Sequence, residues 1–420
     1  MRRGLYRAAA LLALAAAPVW ADVPPGASVE ELLALARSGN PELAAMQFDA
    51  AAAGERALPA GALPDPVLRI EPRNVNNYDS DASPNLLPAR VGSTKYTLIQ
   101  PVPFWGKRDL KREAAEAAAD EAQGRAAATW ADIAAKIKIA YAQNYQVAQS
   151  HRFAREVLDF VARLAGIARV RYANGLVPQQ DAIRAEVETS TMKGELIALA
   201  TEQHHAMIRI NSLLARPAAA ALAEPQRLRP LPPPARLDYA ALEQRLRDKN
   251  PLLFAEAAKI RTAEKNRELA YKNRYPDFNL GISPIQVRNR VTEWELMVEL
   301  NIPLQQESRR SQEREAERML DAARARKEAT ANQVLADLAE GLASLESARQ
   351  VERLTATSLL PQAELSLQAA LAGYENGKVD FATVLDAQRQ IRKAKQDVIR
   401  SQVEQQVRLA EIERLLGEDI

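Results

Sequence analysis

Few residues of this 420-residue chain have side chains suited to catalysis or metal binding. The sequence contains no cysteine and only three histidines, His151, His204 and His205. The adjacent pair points to different faces of a helix, so neither has a partner at metal-ligand spacing. The sequence also lacks a G-x-x-x-x-G-K phosphate loop and a G-x-S-x-G nucleophile elbow. It therefore predicts no enzymatic activity, no cofactor and no resident metal ion.

Three glutamates follow a regular pattern instead. Glu293, Glu295 and Glu299 alternate with apolar side chains over residues 291–302. Alternation with a period of two predicts a β-strand with one apolar and one polar face. Such a strand fits a membrane barrel with lipid outside and water inside, where these acids would line the lumen and favour cations. The alternative is the solvated face of an ordinary sheet.

The start of the chain and its charge bear on where it works. Residues 1–21 combine early arginines, an apolar run and a small residue, Ala21, at the end, which predicts a cleaved secretory signal peptide. The sequence has 56 basic and 54 acidic residues, and the signal peptide carries three of the arginines. The remainder is close to neutral. Because nucleic-acid binding needs a basic excess on one face, no nucleic-acid partner is predicted.

The order of motifs indicates a tandem duplication. Asn40-Pro41 returns as Asn250-Pro251. Further along, one spacing of 202 residues separates both Tyr172 from Tyr374 and Leu213 from Leu415. A proline-rich segment at residues 216–236 forbids a regular helix and reads as the linker. We therefore expect a first repeat at 22–215 and a second at 237–420.

Each repeat predicts a strand pair followed by a long helical hairpin. Gly175 and Gly377 mark the hairpin reversals, because glycine supplies the left-handed conformation found at helix ends. Four strands cannot close a membrane barrel, which takes about eight or more, so two or three chains would have to share one. The expected strands are 67–75, 94–102, 278–287 and 291–302, and the expected hairpins are 105–214 and 305–416.

With these features, the sequence resembles the TolC-like outer-membrane efflux family across nearly the whole chain after the signal peptide. Residues 172–181 and 373–387 look like the two hairpin tips of that family. The resemblance implies a mainly α fold with a small β part, assembled as a homotrimer with a twelve-stranded barrel in the bacterial outer membrane. It also implies a periplasmic helical tunnel, a periplasmic adaptor and an inner-membrane pump as partners, with lipid around the barrel.

The segment at residues 100–108, with Leu63-Pro64-Asp65-Pro66 upstream, looks most like the heavy-metal branch with CzcC-type and CusC-type channels. That branch implies a pump of the resistance-nodulation-division type and export of metal cations. A channel for drugs or other organic compounds, or a type I secretion channel, shares the same fold. A periplasmic adaptor and a soluble coiled-coil scaffold are less favoured, because neither accounts for two hairpins that each follow a strand pair.

The resemblance also implies a gate at the periplasmic tips. The family often closes its tip with two aspartates three residues apart on the second hairpin, and the matching positions here are Thr383 and Asp386. Only the second is acidic. We therefore expect Asp386, supported by Asp181 on the first hairpin, to form an acidic constriction, whereas a solvated or capping role for Asp386 is the alternative.

Overall fold

The computed structural model describes residues 24–75, 86–88 and 90–420. The predicted signal peptide at 1–21 and the polar loop at 76–81 lie outside the described residues. The first repeat contains α1 (Val29–Gly39), α2 (Pro41–Glu55), α3 (Ala57–Gly61), β1 (Val67–Arg73), β2 (Ser93–Val102), α4 (Lys107–Ala173) and α5 (Gln179–Leu213).

The second repeat follows the same order after an extended linker. It contains α6 (Tyr239–Lys249), α7 (Pro251–Lys272), β3 (Phe278–Val287), β4 (Arg290–Leu300), α8 (Gln306–Leu354), α9 (Leu360–Glu375) and α10 (Phe381–Leu416). A π-helical turn, Thr355–Leu359, joins α8 to α9. The two repeats also start their second helices in the same way, since Asn40 and Asn250 cap the amides of Leu43 and Leu253.

The four strands form one antiparallel sheet in the order β1-β2-β3-β4. Within the described residues, β1 and β4 are therefore the two edges. The registers align Leu68 with Leu98, Leu98 with Ile282 and Ile282 with Leu296. Because side chains alternate between faces, these four residues lie in one row on the same face of the sheet.

The helices form a layer that continues from the sheet. Helix α4 packs against α2 and α7, and α7 packs against α8, while α5 and α10 return beside the long helices. At 67 residues, α4 spans about 100 Å. Two equivalent cores hold the middle of the layer: Ile137 packs with α1 residues in the first repeat, and Leu338 packs with α6 residues in the second. Over the described ranges, none of the helices has the length and apolarity to cross a bilayer.

The predicted fold class is confirmed in that the chain is mainly helical, carries a small antiparallel sheet and repeats its element order. The bounds differ in detail. Strand β1 ends at Arg73 rather than at residue 75, and β4 ends at Leu300 rather than at 302. The long helix that leads from β4 to the second tip contains a π-helical turn, Thr355–Leu359, which the sequence analysis did not indicate.

Candidate functional site

One face of the sheet is apolar and exposed along its whole width. Leu68, Leu98, Ile282 and Leu296 form its central row, and the side chain of Leu296 is 84% exposed. No described part of the chain covers this face. Exposed apolar area that is continuous over four strands marks a contact with lipid or protein. Further exposed members of the face are Ile70, Leu280, Trp294, Val298 and Leu300.

The opposite face is polar, and its acids differ in their surroundings. The Oγ1 of Thr97 and the Oγ of Ser283 lie 2.9 Å apart in a hydrogen bond, and the Nζ of Lys95 lies 2.5 Å from the Oε2 of Glu295. Glu299 accepts a hydrogen bond of 3.3 Å from Asn279, whereas Glu293 contacts no cationic side chain within the described residues. The alternation therefore predicted the two faces but not the pairing of Glu295 with Lys95.

The far ends of the two hairpins turn in the same way. Gly175 has a φ of 75° and Gly377 a φ of 68°, so both adopt the left-handed conformation. The amides that follow them reach back by 2.9 and 2.8 Å to the carbonyls of Arg171 and Gly373. These are the bonds of a Schellman motif, in which glycine ends a helix and reverses the chain. The sequence thus predicted both reversals at the correct glycines, Gly175 and Gly377.

A core beneath the turns holds the two hairpins together. Tyr374 and Phe381 are 3% and 0% exposed, and their rings meet edge to face at 5.5 Å. From the first hairpin, the Arg171 guanidinium lies 4.9 Å from the centre of the Tyr374 ring and donates a 2.8 Å hydrogen bond to the Tyr374 carbonyl. This contact combines a cation-π interaction with a charge-assisted hydrogen bond. Both tips therefore belong to one packed unit.

The three residues expected at the gate occupy different environments. Asp386 is exposed and its Oδ1 lies 3.6 Å from Arg389 on the same helix. Asp181 is buried, and burial raises its pKa, with the nearby Asp380 carboxylate adding to the rise. The structure thus leaves one aspartate open to solvent and encloses the other.

Thr383 belongs to the start of α10. Its amide and hydroxyl both donate to the Oδ1 of Asp380, at 3.0 and 2.6 Å, so that Asp380 is the cap of this helix. By the 202-residue spacing, Asp181 corresponds to Thr383, and Asp386 corresponds to Arg184. The two expected gate acids are therefore not counterparts of each other in the two hairpins.

The family comparison covers most of the chain in two pieces. The sequence model for outer membrane efflux proteins matches residues 32–216 and 242–418. The chain belongs to this family. Outer membrane efflux proteins are channels rather than enzymes, which agrees with the prediction of no catalytic activity.

One relative of this outer membrane efflux protein is named for resistance to metals. The chain is 27% identical over 379 residues to the cobalt-zinc-cadmium resistance protein CzcC of Cupriavidus metallidurans. This alignment covers 88% of this chain and 84% of CzcC. Among solved structures, CusC matches with a TM-score of 0.80 and 19% identity over 93% of this chain and 92% of CusC. VceC of Vibrio cholerae matches with a TM-score of 0.78 and 18% identity over 93% and 96%. These structures share the fold.

Sequence reasoning missed the ion pairs that link the hairpins of this efflux protein. Arg389 on α10 reaches Glu188 on α5 at 2.6 Å, and Arg392 reaches Glu195 at 2.7 Å. Glu188 is buried, and pairing of buried charges by arginine is what makes their burial tolerable. A signal existed in the sequence, because Asp181, Ala185, Glu188 and Met192 share one helical face that carries two acids among small and apolar residues.

The segment at residues 100–108 has a role that its sequence did not reveal. Phe104 stacks on Tyr275 with ring centres 4.5 Å apart, and its amide donates to the Oδ1 of Asp277 at 2.8 Å. Lys107 also reaches this carboxylate, at 2.8 Å. The exit from β2 is therefore fastened to the entry into β3, which joins the two repeats at the base of the sheet.

Proposed function

We propose that this protein is the outer-membrane channel of a tripartite efflux system and that heavy-metal cations are its cargo. The observation that carries the channel assignment is the two-faced sheet in a member of the outer membrane efflux protein family. A sheet with an exposed apolar face and a polar face fits a shared barrel with lipid outside and water inside. Three copies would contribute twelve strands, as the resemblance to TolC-like proteins implies.

The helices would continue this channel into the periplasm. Helix α4 is about 100 Å long and begins five residues after β2 ends, so the helical layer extends from the sheet without a separate domain between them. A periplasmic adaptor and an inner-membrane pump would deliver the cargo to the hairpin tips. The channel itself would conduct passively. Among the described residues, no group of three or more His, Cys, Asp or Glu side chains could hold a metal ion.

The cargo proposal rests on the relative CzcC, named for cobalt, zinc and cadmium resistance, and on the segment at residues 100–108. A pump of the resistance-nodulation-division type is the inner-membrane partner that this branch implies. The test is a host strain that lacks this chain. We expect lower tolerance to cobalt, zinc, cadmium or copper, restored by the intact gene. Unchanged metal tolerance together with sensitivity to detergents or macrolides would instead support efflux of organic compounds.

The sheet assignment has its own test at Leu296, the most exposed apolar side chain of β4. Leu296→Arg would place a charge on the lipid face at a cost of about 2 to 4 kcal/mol near the bilayer midplane. We expect less heat-resistant trimer in outer-membrane extracts, whereas Glu293→Arg on the polar face leaves the trimer yield close to normal. Equal yields from the two variants would contradict the proposed orientation.

The proposed gate lies at the hairpin tips, with Asp386 as its exposed acid and Asp181 in support. Threefold assembly would repeat Asp386 around the axis, and close carboxylates attract cations. The test is single-channel conductance of the trimer in a planar bilayer, with a multivalent cation as blocker on the periplasmic side. We expect Asp386→Ala to raise conductance or weaken the block, with a larger effect when Asp181→Ala is added. No change in the double variant would mean that these acids do not line the constriction.

A further inference from the structure

The two open edges of the sheet carry complementary charges. On its polar face, edge strand β1 presents Arg69 and Arg73 with Glu71 between them. Edge strand β4 presents Glu295 and Glu299 on the same face. Unpaired strand edges attract another strand, because their backbone donors and acceptors lack partners. The complementary partner for β4 of one copy is therefore β1 of a second copy of this chain.

The side-chain pattern restricts how the two edges can align. The apolar residues must stay on one face, so the register can shift only in steps of two residues. When Leu68 lies opposite Leu300, Arg69 lies opposite Glu299 and Arg73 lies opposite Glu295. A shift of two residues in one direction places Glu71 opposite Glu299, and a shift in the other direction places Glu71 opposite Glu295 and Arg73 opposite Glu293. Like charges directly opposite each other are destabilising, so neither shifted alignment matches the two opposite-charge pairs of the first.

The internal pairing of the two repeats leads to the same alignment. Within one chain, Val102 at the end of β2 pairs with Phe278 at the start of β3. Counted from Pro103 and Pro303, the counterpart of Val102 is Ile302. Counted from Asp277 and Asp65, the counterpart of Phe278 is Pro66. A pairing of Ile302 with Pro66, extended along the antiparallel strands, again aligns Arg69 with Glu299.

We propose that β4 of one copy pairs with β1 of a second copy in this register and that Arg69 of the second copy neutralises Glu299. The proposal rests on the proposed trimeric channel and specifies the contact that closes it. It also changes the chemistry expected inside the barrel. Glu295 already has Lys95 as its partner, and Glu299 gains an arginine from the neighbouring copy. Glu293 is then the acid of this strand that remains available to passing cations.

The absence of cysteine from the sequence permits a direct test by disulfide formation. Residues directly opposite in an antiparallel pair have Cα atoms about 4.5 to 5.5 Å apart, which suits a disulfide, whereas a two-residue shift exceeds its reach. The test variant is Arg69→Cys with Glu299→Cys, and the matched control is Glu71→Cys with Glu299→Cys. A second control, Thr97→Cys with Ser283→Cys, joins opposite residues within one chain and verifies the oxidation.

After mild oxidation of outer membranes, heated samples are separated on a non-reducing denaturing gel. We expect the test variant to form covalent trimer on the order of fivefold more than its control, because disulfides require close and aligned partners. More covalent trimer from the control would overturn the register. Native trimer without covalent trimer in either variant would overturn the edge pairing. Monomers alone on a native gel of the unmodified protein would overturn the trimer itself, which separates the two proposals.

Charge exchange provides a second measurement that needs no covalent bond. Arg69→Glu places three acids of two copies close together, and we expect about a threefold loss of heat-resistant trimer. Adding Glu299→Arg restores opposite charges and should return the yield to near normal. Adding Glu293→Arg instead should not restore it. Equal recovery with Glu299→Arg and with Glu293→Arg would show that the net charge of the strand edges, rather than the pair of Arg69 and Glu299, controls assembly. That result would overturn the proposal.

Discussion

Between the shared core and the tips, the long helices of the two repeats differ by one residue, and the structure shows how this difference is accommodated. Ile133 and Ile137 of α4 occupy the same core positions as Val334 and Leu338 of α8, a spacing of 201 residues. Near the tips, Tyr172 and Tyr374 are separated by 202 residues. The π-helical turn lies between these landmarks and accommodates the extra residue. Since a π-bulge adds a residue without rotating the helix beyond it, both hairpins arrive at their tips in phase.

The largest expected effect comes from matched single-residue deletions in these helices. Deletion of Arg155 from the continuous helix α4 would rotate its lower part by about 100° and remove Val157, Val161 and Leu164 from their buried positions. At about 1.5 to 3 kcal/mol for each apolar side chain, the expected loss in the free energy of unfolding is about 5 kcal/mol or more. We expect almost no assembled protein in outer-membrane extracts.

Deletion of Thr357 provides the control for that experiment. It removes the extra residue from the π-helical turn, so α8 and α9 can join as a regular helix with their buried faces unchanged. We expect circular dichroism and trimer yield close to those of the unmodified protein. Equal damage from the two deletions would show that the turn is not a tolerated insertion.

The next largest effect concerns the tip core, to which the second hairpin contributes more. Phe381 is fully buried, whereas its counterpart in the first hairpin, Gln179, is exposed. Phe381→Ala should lower the local free energy of opening by about 3 to 5 kcal/mol, and Gln179→Ala should change it by less than about 0.5 kcal/mol. Hydrogen exchange of tip peptides measures both. Similar protection in the two variants would contradict the asymmetry.

The sequence was sufficient to predict features that depend on local pattern. Alternation over β4 predicted its two faces, and Gly175 and Gly377 marked both reversals, because each follows from the geometry of its own segment. Contacts between distant segments were not predictable in this way. The Arg389 to Glu188 pair and the stacking of Phe104 on Tyr275 depend on how the repeats pack. The gate residues Asp181, Thr383 and Asp386 stay a prediction, since their meeting place would lie between copies.

A smaller effect is expected from the caps of the two returning helices. Asp380 caps α10, whereas α5 begins after Pro178 with no side-chain cap. Asp380→Ala should reduce the local free energy of opening by about 1 kcal/mol, and Pro178→Ala should leave exchange at the first tip within about 0.5 kcal/mol of normal. The measurement is hydrogen exchange at the first turn of each helix. A loss at α5 as large as that at α10 would show that the caps do not distinguish the tips.

The smallest effect is a pH dependence at Asp181, whose counterpart in the second hairpin does not titrate. Burial raises the pKa of Asp181, and the charge of Asp380 adds to the rise, while Arg184 opposes it. Because the folded pKa lies above the unfolded value, the fold favours the protonated acid. Its stabilising contribution is present at low pH and is lost as pH rises through the folded pKa. Thr383, the counterpart of Asp181 in the second hairpin, does not titrate.

Asp181→Asn should therefore protect the tip against hydrogen exchange more than the native aspartate does at neutral pH, and the difference should shrink as pH falls toward the ordinary aspartate pKa of 3.8. Comparing variant and native protein at each pH cancels the intrinsic change in exchange rate. Asp386→Asn is the matched control, because that carboxylate is exposed, and it should show no comparable trend. A difference for Asp181→Asn that stays constant from acidic to neutral pH would mean that Asp181 does not titrate as a buried acid.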